Sequence, residues 1–66
     1  MKLWKFLDLY DNWNGTVVIN NNNLVEIAKG TGQEVYHNPK VSDLPVLSFG
    51  FYDNELCIRV GDSRGI

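Results

Sequence analysis

The sequence predicts an α+β fold in which a short N-terminal helix packs on one face of a roughly four-stranded antiparallel sheet. Apolar side chains recur with helical spacing in residues 2–11, and four later segments have the β-branched or alternating composition of strands. The chain has 66 residues, of which 44% are hydrophobic and 21% charged. These values indicate one globular domain spanning 1–66, because a chain of this length cannot build a second core.

The predicted helix covers residues 2–11. Leu3, Phe6, Leu7 and Tyr10 follow the i, i+3, i+4, i+7 spacing of a single helical face. A strand would instead mix charged and apolar side chains on both of its faces, so the pattern favours the helix. The helix is expected to end in the segment 11–15, which is rich in Asn and closes on a glycine.

The first predicted hairpin joins residues 16–19 to residues 24–28. The first arm is a β-branched run, which is typical of a strand. Four consecutive asparagines, Asn20–Asn23, separate the arms and are better suited to a hairpin tip than to a strand interior.

The second predicted hairpin joins residues 46–52 to residues 56–60 through a turn at 53–55. Both arms alternate with a period of two, which is the strongest strand signal in the chain. We expect the helix to cover one face of this hairpin, formed by Leu47, Phe49, Phe51, Ile58 and Val60.

The segment between the hairpins is the least regular. Gly30-Thr31-Gly32 predicts a turn, and residues 34–36 are compatible with a short strand. Leu44 precedes a proline, which disfavours helix there. Residues 61–66 contain two glycines and two charged side chains, and are predicted to form a flexible tail.

The side chains that usually carry catalysis or bind metals are sparse. One cysteine and one histidine exclude an intrachain disulfide framework and a zinc site built by one chain, and no cofactor is expected. His37 has no nucleophile at motif spacing and is interpreted as a solvated loop residue. Gly30-Thr31-Gly32 lacks the third glycine and the following helix of a dinucleotide-binding loop. A non-enzymatic protein is therefore favoured over an enzyme.

Several aromatic side chains fall outside the predicted core. The outer face of the second hairpin would carry Ser48, Gly50, Tyr52, Cys57 and Arg59, and a single helix cannot cover it. Tyrosine, tryptophan and arginine are common anchors of protein interfaces. The predicted partner-binding or oligomer-interface residues are accordingly Trp4, Tyr36, Tyr52, Cys57 and Arg59.

Charge and size limit the choice of partners. The formal net charge of −2 argues against unspecific binding of nucleic acid by a monomer. An oligomer could still gather Tyr52, Arg59 and the N-terminal lysines into a groove that binds, nicks or relaxes DNA. A small domain without a disulfide often gains burial by self-association, so a homo-oligomer is expected. No apolar run is long enough for a membrane span, and a cytoplasmic location is predicted.

The layout resembles a loose group of very small proteins carried by bacterial phages and mobile elements. The resemblance covers a short helix at residues 2–11, a polar-tipped hairpin at 16–28, the segment VSDLP at 41–45, and a final hairpin ending in ELCIRV at 46–60. Some similarly small phage proteins inhibit bacterial immunity, including anti-CRISPR proteins. The resemblance implies a host immune effector such as CRISPR–Cas as the partner. The alternatives are the DNA-acting oligomer and a small structural protein.

Overall fold

The computed structural model describes residues 1–11 and 13–61 and has an α+β fold. Its N-terminal helix and four strands confirm the predicted fold class, and a second short helix lies between the two hairpins. The elements are α1 (Leu3–Asp8), β1 (Thr16–Asn20), β2 (Glu26–Thr31), α2 (Gly32–Tyr36), β3 (Val46–Tyr52) and β4 (Glu55–Val60).

The sheet is mixed, with the strand order β2-β1-β4-β3. Each hairpin is antiparallel as predicted, but β1 and β4 run parallel to each other, so the sheet is not antiparallel throughout. Parallel neighbours need a crossover connection. Here the chain leaves β2, forms α2 and enters β3, which allows β4 to return beside β1. Val17 lies opposite Leu56 and Ile19 opposite Ile58, so the central strands share one apolar face.

The core lies between this apolar face and the two helices. Leu3 and Leu7 from α1, and Val35 from α2, pack on the central strands. Burying an aliphatic side chain of this size contributes roughly 1.5–3 kcal/mol. The core cluster consists of Leu3, Leu7, Val17, Ile19, Val35, Val41, Leu56, Ile58 and Val60.

Helix α1 is shorter than the predicted segment 2–11, and it is attached to the sheet at its start. The Val46 N–H donates to the Met1 carbonyl at 2.8 Å, and the Leu3 N–H donates to the Leu44 carbonyl at 2.9 Å. The residues before α1 therefore lie alongside the beginning of β3, and the helix begins where this pairing ends.

Helix α2 corrects the prediction of a short strand at residues 34–36. The Thr31 hydroxyl accepts a hydrogen bond from the Glu34 N–H at 3.2 Å, and the Glu34 carboxylate accepts one from the Thr31 N–H at 2.9 Å. This reciprocal pair is a capping box, which starts a helix. A helix therefore does follow the Gly30-Thr31 segment and begins at Gly32, where the glycine motif predicted none. Its first turn is closed by the side chains of Thr31 and Glu34.

The predicted coverage of the second hairpin is only partly correct. Ile58 and Val60 are buried, but Phe49 and Phe51 remain 59% and 61% exposed, and Leu47 is also exposed. The reason is topological: β3 is the outermost strand, and the six residues of α1 lie mainly over the central strands. A register shift between Val46 and Ser48 also removes Leu47 from the regular alternation.

The predicted flexible tail at residues 61–66 begins at least one residue too early. Gly61 is buried, and its N–H donates to the Pro45 carbonyl at 2.8 Å, so this residue does not belong to a flexible tail. The rest of the predicted tail, residues 62–66, lies outside the described residues. Within the described part of the chain, no helix has the length and hydropathy needed to span a membrane.

Candidate functional site

The face of the sheet opposite the helices carries the candidate site. The core cluster places α1 and α2 on the face of Val17 and Ile58, and the strand register assigns the alternate residues to the other side. No described helix covers that side. We call it the outer face; its strand residues are Thr16, Val18, Asn20, Glu26, Lys29, Thr31, Ser48, Gly50, Tyr52, Glu55, Cys57 and Arg59.

Tyr52 forms an aromatic platform on the outer face. A Cβ placed on Gly50 would lie 3.1 Å from Tyr52 Cε2 and from its hydroxyl oxygen, so the phenol ring rests directly over the glycine. The side chain is nevertheless 65% exposed. The missing side chain at position 50 therefore lets Tyr52 lie along the sheet with much of its surface open to solvent.

Arg59 is held in place beside this platform. Its Nε donates to the Ser48 hydroxyl at 3.1 Å, and its Nη1 lies 3.5 Å from the Asn22 side-chain oxygen. Ser48 is the cross-strand neighbour of Arg59, whereas Asn22 belongs to the tip of the first hairpin. The guanidinium is thus oriented before any partner arrives, which lowers the conformational entropy that binding must remove.

Most of the asparagine run forms the hairpin tip, as predicted, but Asn20 is the last residue of β1; the tip also supplies this contact to Arg59. The Asn21 side-chain oxygen accepts hydrogen bonds from the N–H groups of Asn23 and Val25 at 2.9 and 3.0 Å. These side-chain hydrogen bonds take the place of backbone hydrogen bonds between the strands where the chain reverses direction. The tip is therefore an ordered turn, and it carries Asn22 towards β4.

Cys57 lies at the centre of the outer face between β1 and β3. Burial raises the pKa of its thiol above the ordinary value, and the negative charge of Glu55 raises the pKa further. Lys29 has the opposite effect and ion-pairs with Glu55 at 3.6 Å. The thiol therefore stays protonated at neutral pH, which suits a packing residue better than a nucleophile.

The predicted interface set is divided between the two layers. Tyr52, Cys57 and Arg59 share the outer face, as their alternation in the sequence indicated. Trp4 belongs to α1 in the helical layer. Tyr36 belongs to α2, where it packs against the core and its ring centroid lies 5.0 Å from that of Trp13. The interface role of all five residues stays a prediction.

The aromatic group on α2 also locates the single histidine. The ring centroids of Tyr36 and His37 are 5.1 Å apart in an edge-on arrangement, and His37 is exposed. It occupies the C-terminal cap of α2 rather than an irregular loop. Within residues 1–11 and 13–61, no group of three His, Cys, Asp or Glu side chains is placed to hold a metal ion.

The outer face has more members than the sequence predicted, and Lys29 and Glu55 are two of them. Lys29 and Glu55 belong to it because each pairs across the sheet with an outer-face residue, Val18 and Tyr52 respectively. The alternation of β4 contained the signal for Glu55, which is two residues before Cys57. The position of Lys29 depends on a register shift in the first hairpin, which the sequence pattern does not specify.

Comparison with known proteins found no match that bears on function. No family model matches the chain, and no curated protein or solved structure matches it either.

Proposed function

We propose that this chain is a non-catalytic binding protein that captures a partner protein on its outer face. The observation that carries the proposal is the Tyr52 ring, which lies over Gly50 and remains largely exposed on the same face as the oriented Arg59. Tyrosine and arginine residues supply a large share of the binding energy at protein interfaces. The resemblance to small phage-encoded proteins suggests the partner class, a bacterial immune effector such as a CRISPR–Cas complex.

The charges of the outer face support a protein partner over a nucleic acid. Its cations are Lys29 and Arg59, and Lys29 is ion-paired with Glu55. Lys2, one of the lysines expected to help bind DNA, lies beside Pro45 at the start of β3 and contacts Asp43 at 3.8 Å. A strand of nucleic acid gains affinity from an extended row of unpaired cations. The outer face instead offers an aromatic platform with mixed charge.

A plaque assay in bacteria with an active CRISPR–Cas system tests this function. The wild-type chain should restore plaquing of a targeted phage. The variants Tyr52→Ala and Arg59→Ala should each lower the restored plaquing by about tenfold or more, since interface anchors contribute 2 kcal/mol or more. Leu24→Ala is the matched control, because it removes an exposed apolar side chain from the hairpin tip. Equal plaquing by Tyr52→Ala and wild type would contradict the role of the outer face.

Two measurements with purified components complete the test. The tagged chain should bind the effector complex of the protected strain directly in an interferometry assay, and Tyr52→Ala should weaken that binding. Supercoiled plasmid incubated with the chain and Mg²⁺ should stay unchanged, without a gel shift at low salt. Nicked, relaxed or shifted plasmid would favour the DNA-acting oligomer, and failure to bind any effector complex would refute the proposed partner class.

A further inference from the structure

Among the described residues, strand β3 leaves one side of its backbone open. It is the last strand in the order β2-β1-β4-β3. Lys2 forms a bridge with Pro45, and the Val46 N–H donates to the Met1 carbonyl, so the N-terminal segment covers only the first residues of this edge. Beside residues 47–52, no other described strand lies on that side. Such a row of free N–H and C=O groups is a template for another strand.

The two edges of the sheet differ in how they are protected. The other edge strand, β2, carries Glu26 and Lys29, and charged side chains on an edge strand discourage strand addition. The sequence of β3 is VLSFGFY and has no charged residue and no proline. Its Phe49 and Phe51 are more than half exposed. The β3 edge therefore has the composition of a pairing surface.

The second hairpin indicates which backbone groups are free. Asp53 and Asn54, with φ of 52° and 65°, form a two-residue turn that is closed by the pair Tyr52 and Glu55. Hydrogen-bonded and non-bonded pairs alternate along an antiparallel ladder. If this alternation is followed back from the turn, the backbone N–H and C=O groups of Gly50 bond to β4. Those of Phe49 and Phe51 point to the open side.

We propose that the β3 edge binds a second copy of this chain, in an antiparallel pair with the two-fold axis at Gly50. Phe49 of each copy then exchanges backbone hydrogen bonds with Phe51 of the other, and the two four-stranded sheets become one continuous sheet. The phenylalanine rings of both copies lie side by side on the helical face. Pairing thus covers apolar surface that α1 leaves exposed.

Charge at the two ends of β3 is compatible with the antiparallel arrangement. Lys2 lies at the start of the strand, where its contact with Asp43 is long and exposed, and Asp53 follows the end of the strand. Antiparallel pairing brings the Asp53 of one copy next to the Lys2 of the other, whereas parallel pairing would bring like ends together. The β3 strand of a second copy is extended and carries no charge, so it can pair with this edge without burying a charged side chain. In a two-fold dimer the same surface of each copy forms the interface. The dimer goes beyond the proposed function and does not rest on it.

Sedimentation equilibrium of the purified chain tests the dimer without any immune effector. Wild type should dimerise, and Phe51→Lys should weaken dimerisation by at least about tenfold, because an inward-pointing charge blocks an edge. Leu24→Lys is the control, since it adds the same charge at an exposed apolar residue outside β3. A wild-type monomer at millimolar concentration, or a dimer unaffected by Phe51→Lys, would overturn the proposal.

A backbone variant separates loss of pairing from loss of folding. The chain can be assembled chemically by ligation at Cys57 with an N-methyl group on the Phe51 amide, which removes one outward donor and leaves the side chain intact. With an unchanged circular dichroism spectrum, this variant should be monomeric. Isotope-filtered NOEs between Phe49 and Phe51 of different copies should appear in wild type alone. A dimer retained by the methylated chain would refute pairing through β3.

The charge contact between the copies is tested by a double-mutant cycle. Asp53→Asn keeps a residue that tolerates the turn, and it should weaken the wild-type dimer about two- to fivefold, the range of an exposed ion pair. In a Lys2→Gln background the same change should have no effect. Equal effects of Asp53→Asn in both backgrounds would exclude the contact between Asp53 of one copy and Lys2 of the other.

Discussion

The rings of Phe6 and Phe49 lie with their centroids 4.8 Å apart and their planes tilted by 57°. Phe6 projects from α1, whose leucines Leu3 and Leu7 are fully buried over the central strands. The same helix therefore completes the core and only borders the edge strand. Phe49 gains an aromatic contact and keeps most of its surface in solvent, so its contribution to stability should be smaller than that of a central-strand residue.

The difference between central and edge strands can be measured by truncation. Ile58→Ala should lower the free energy of unfolding by about 2–5 kcal/mol, because Ile58 is fully buried and leaves a cavity. A domain of this size has only a few kcal/mol of stability, so this variant should be largely unfolded. Phe51→Ala, although it removes more atoms, should cost less. Urea titration followed by circular dichroism checks both, at a concentration where wild type is monomeric.

The capping box should make a measurable contribution to α2. Thr31→Ala removes the acceptor for the Glu34 N–H and should lower the free energy of unfolding by about 1 kcal/mol. Thr31→Ser should keep most of the stability, because the hydroxyl is retained. Gln33→Ala, an exposed position in the same helix, is the control and should change little. A Thr31→Ala variant as stable as wild type would show that packing alone maintains α2.

The backbone of Leu24 offers a stabilising substitution. Its φ is 64°, in the left-handed region, and its side chain is 70% exposed. Left-handed backbone costs a branched residue roughly 1–2 kcal/mol, whereas asparagine tolerates it. Leu24→Asn should therefore raise the midpoint of thermal unfolding. The neighbouring Val25→Asn is the matched control, because Val25 lacks this backbone strain, and it should not stabilise the chain.

The environment of Cys57 predicts slow alkylation. Since burial and Glu55 both raise the pKa of the thiol, its reaction with iodoacetamide should reach half-maximal rate above the pH of an ordinary cysteine. Glu55→Gln should move that midpoint down, and Lys29→Gln should move it up. Shifts of the same sign in both variants would contradict this electrostatic arrangement.

The same pKa shift links stability to pH. The folded state holds the Cys57 proton more tightly than the unfolded chain, so this contribution is fully present below the ordinary thiol pKa. It declines as the pH rises through and above that value. Cys57→Ser should remove this part of the alkaline loss of stability, which urea titrations at neutral and alkaline pH can detect.

Local patterns predicted α1 and the four strands, although β2 runs from Glu26 to Thr31 and not over residues 24–28. The bounds of β3 match the expected residues 46–52, because period-two alternation continues up to the turn at Asp53 and Asn54. The start of α2 was also readable, since Thr31 and Glu34 have the spacing of a capping box, but residues 34–36 were interpreted as a strand. Only the tertiary fold decided that β1 lies parallel to β4. That pairing brings together segments whose compositions would also suit antiparallel neighbours.

The same limit applies to the candidate site. Tyr52, Cys57 and Arg59 could be assigned to one face because they belong to a single hairpin with a clear alternation. Trp4 and Tyr36 share with them only that they are aromatic or polar side chains to which the sequence pattern assigns no place in the core. The exposure of Phe49 and Phe51 could not be predicted, since it depends on which strand of the sheet is outermost.

The parallel pairing of β1 with β4 also governs the order in which the chain can fold. It joins Val17 to Leu56, about 40 residues apart, whereas each hairpin closes a short loop. An isolated two-stranded hairpin is marginal in water, so neither one can persist until the central strands meet. The rate-limiting event should therefore be the docking of the two hairpins. Substitutions of the residues that pair β1 with β4 should slow refolding, and those at the hairpin tips should mainly speed unfolding.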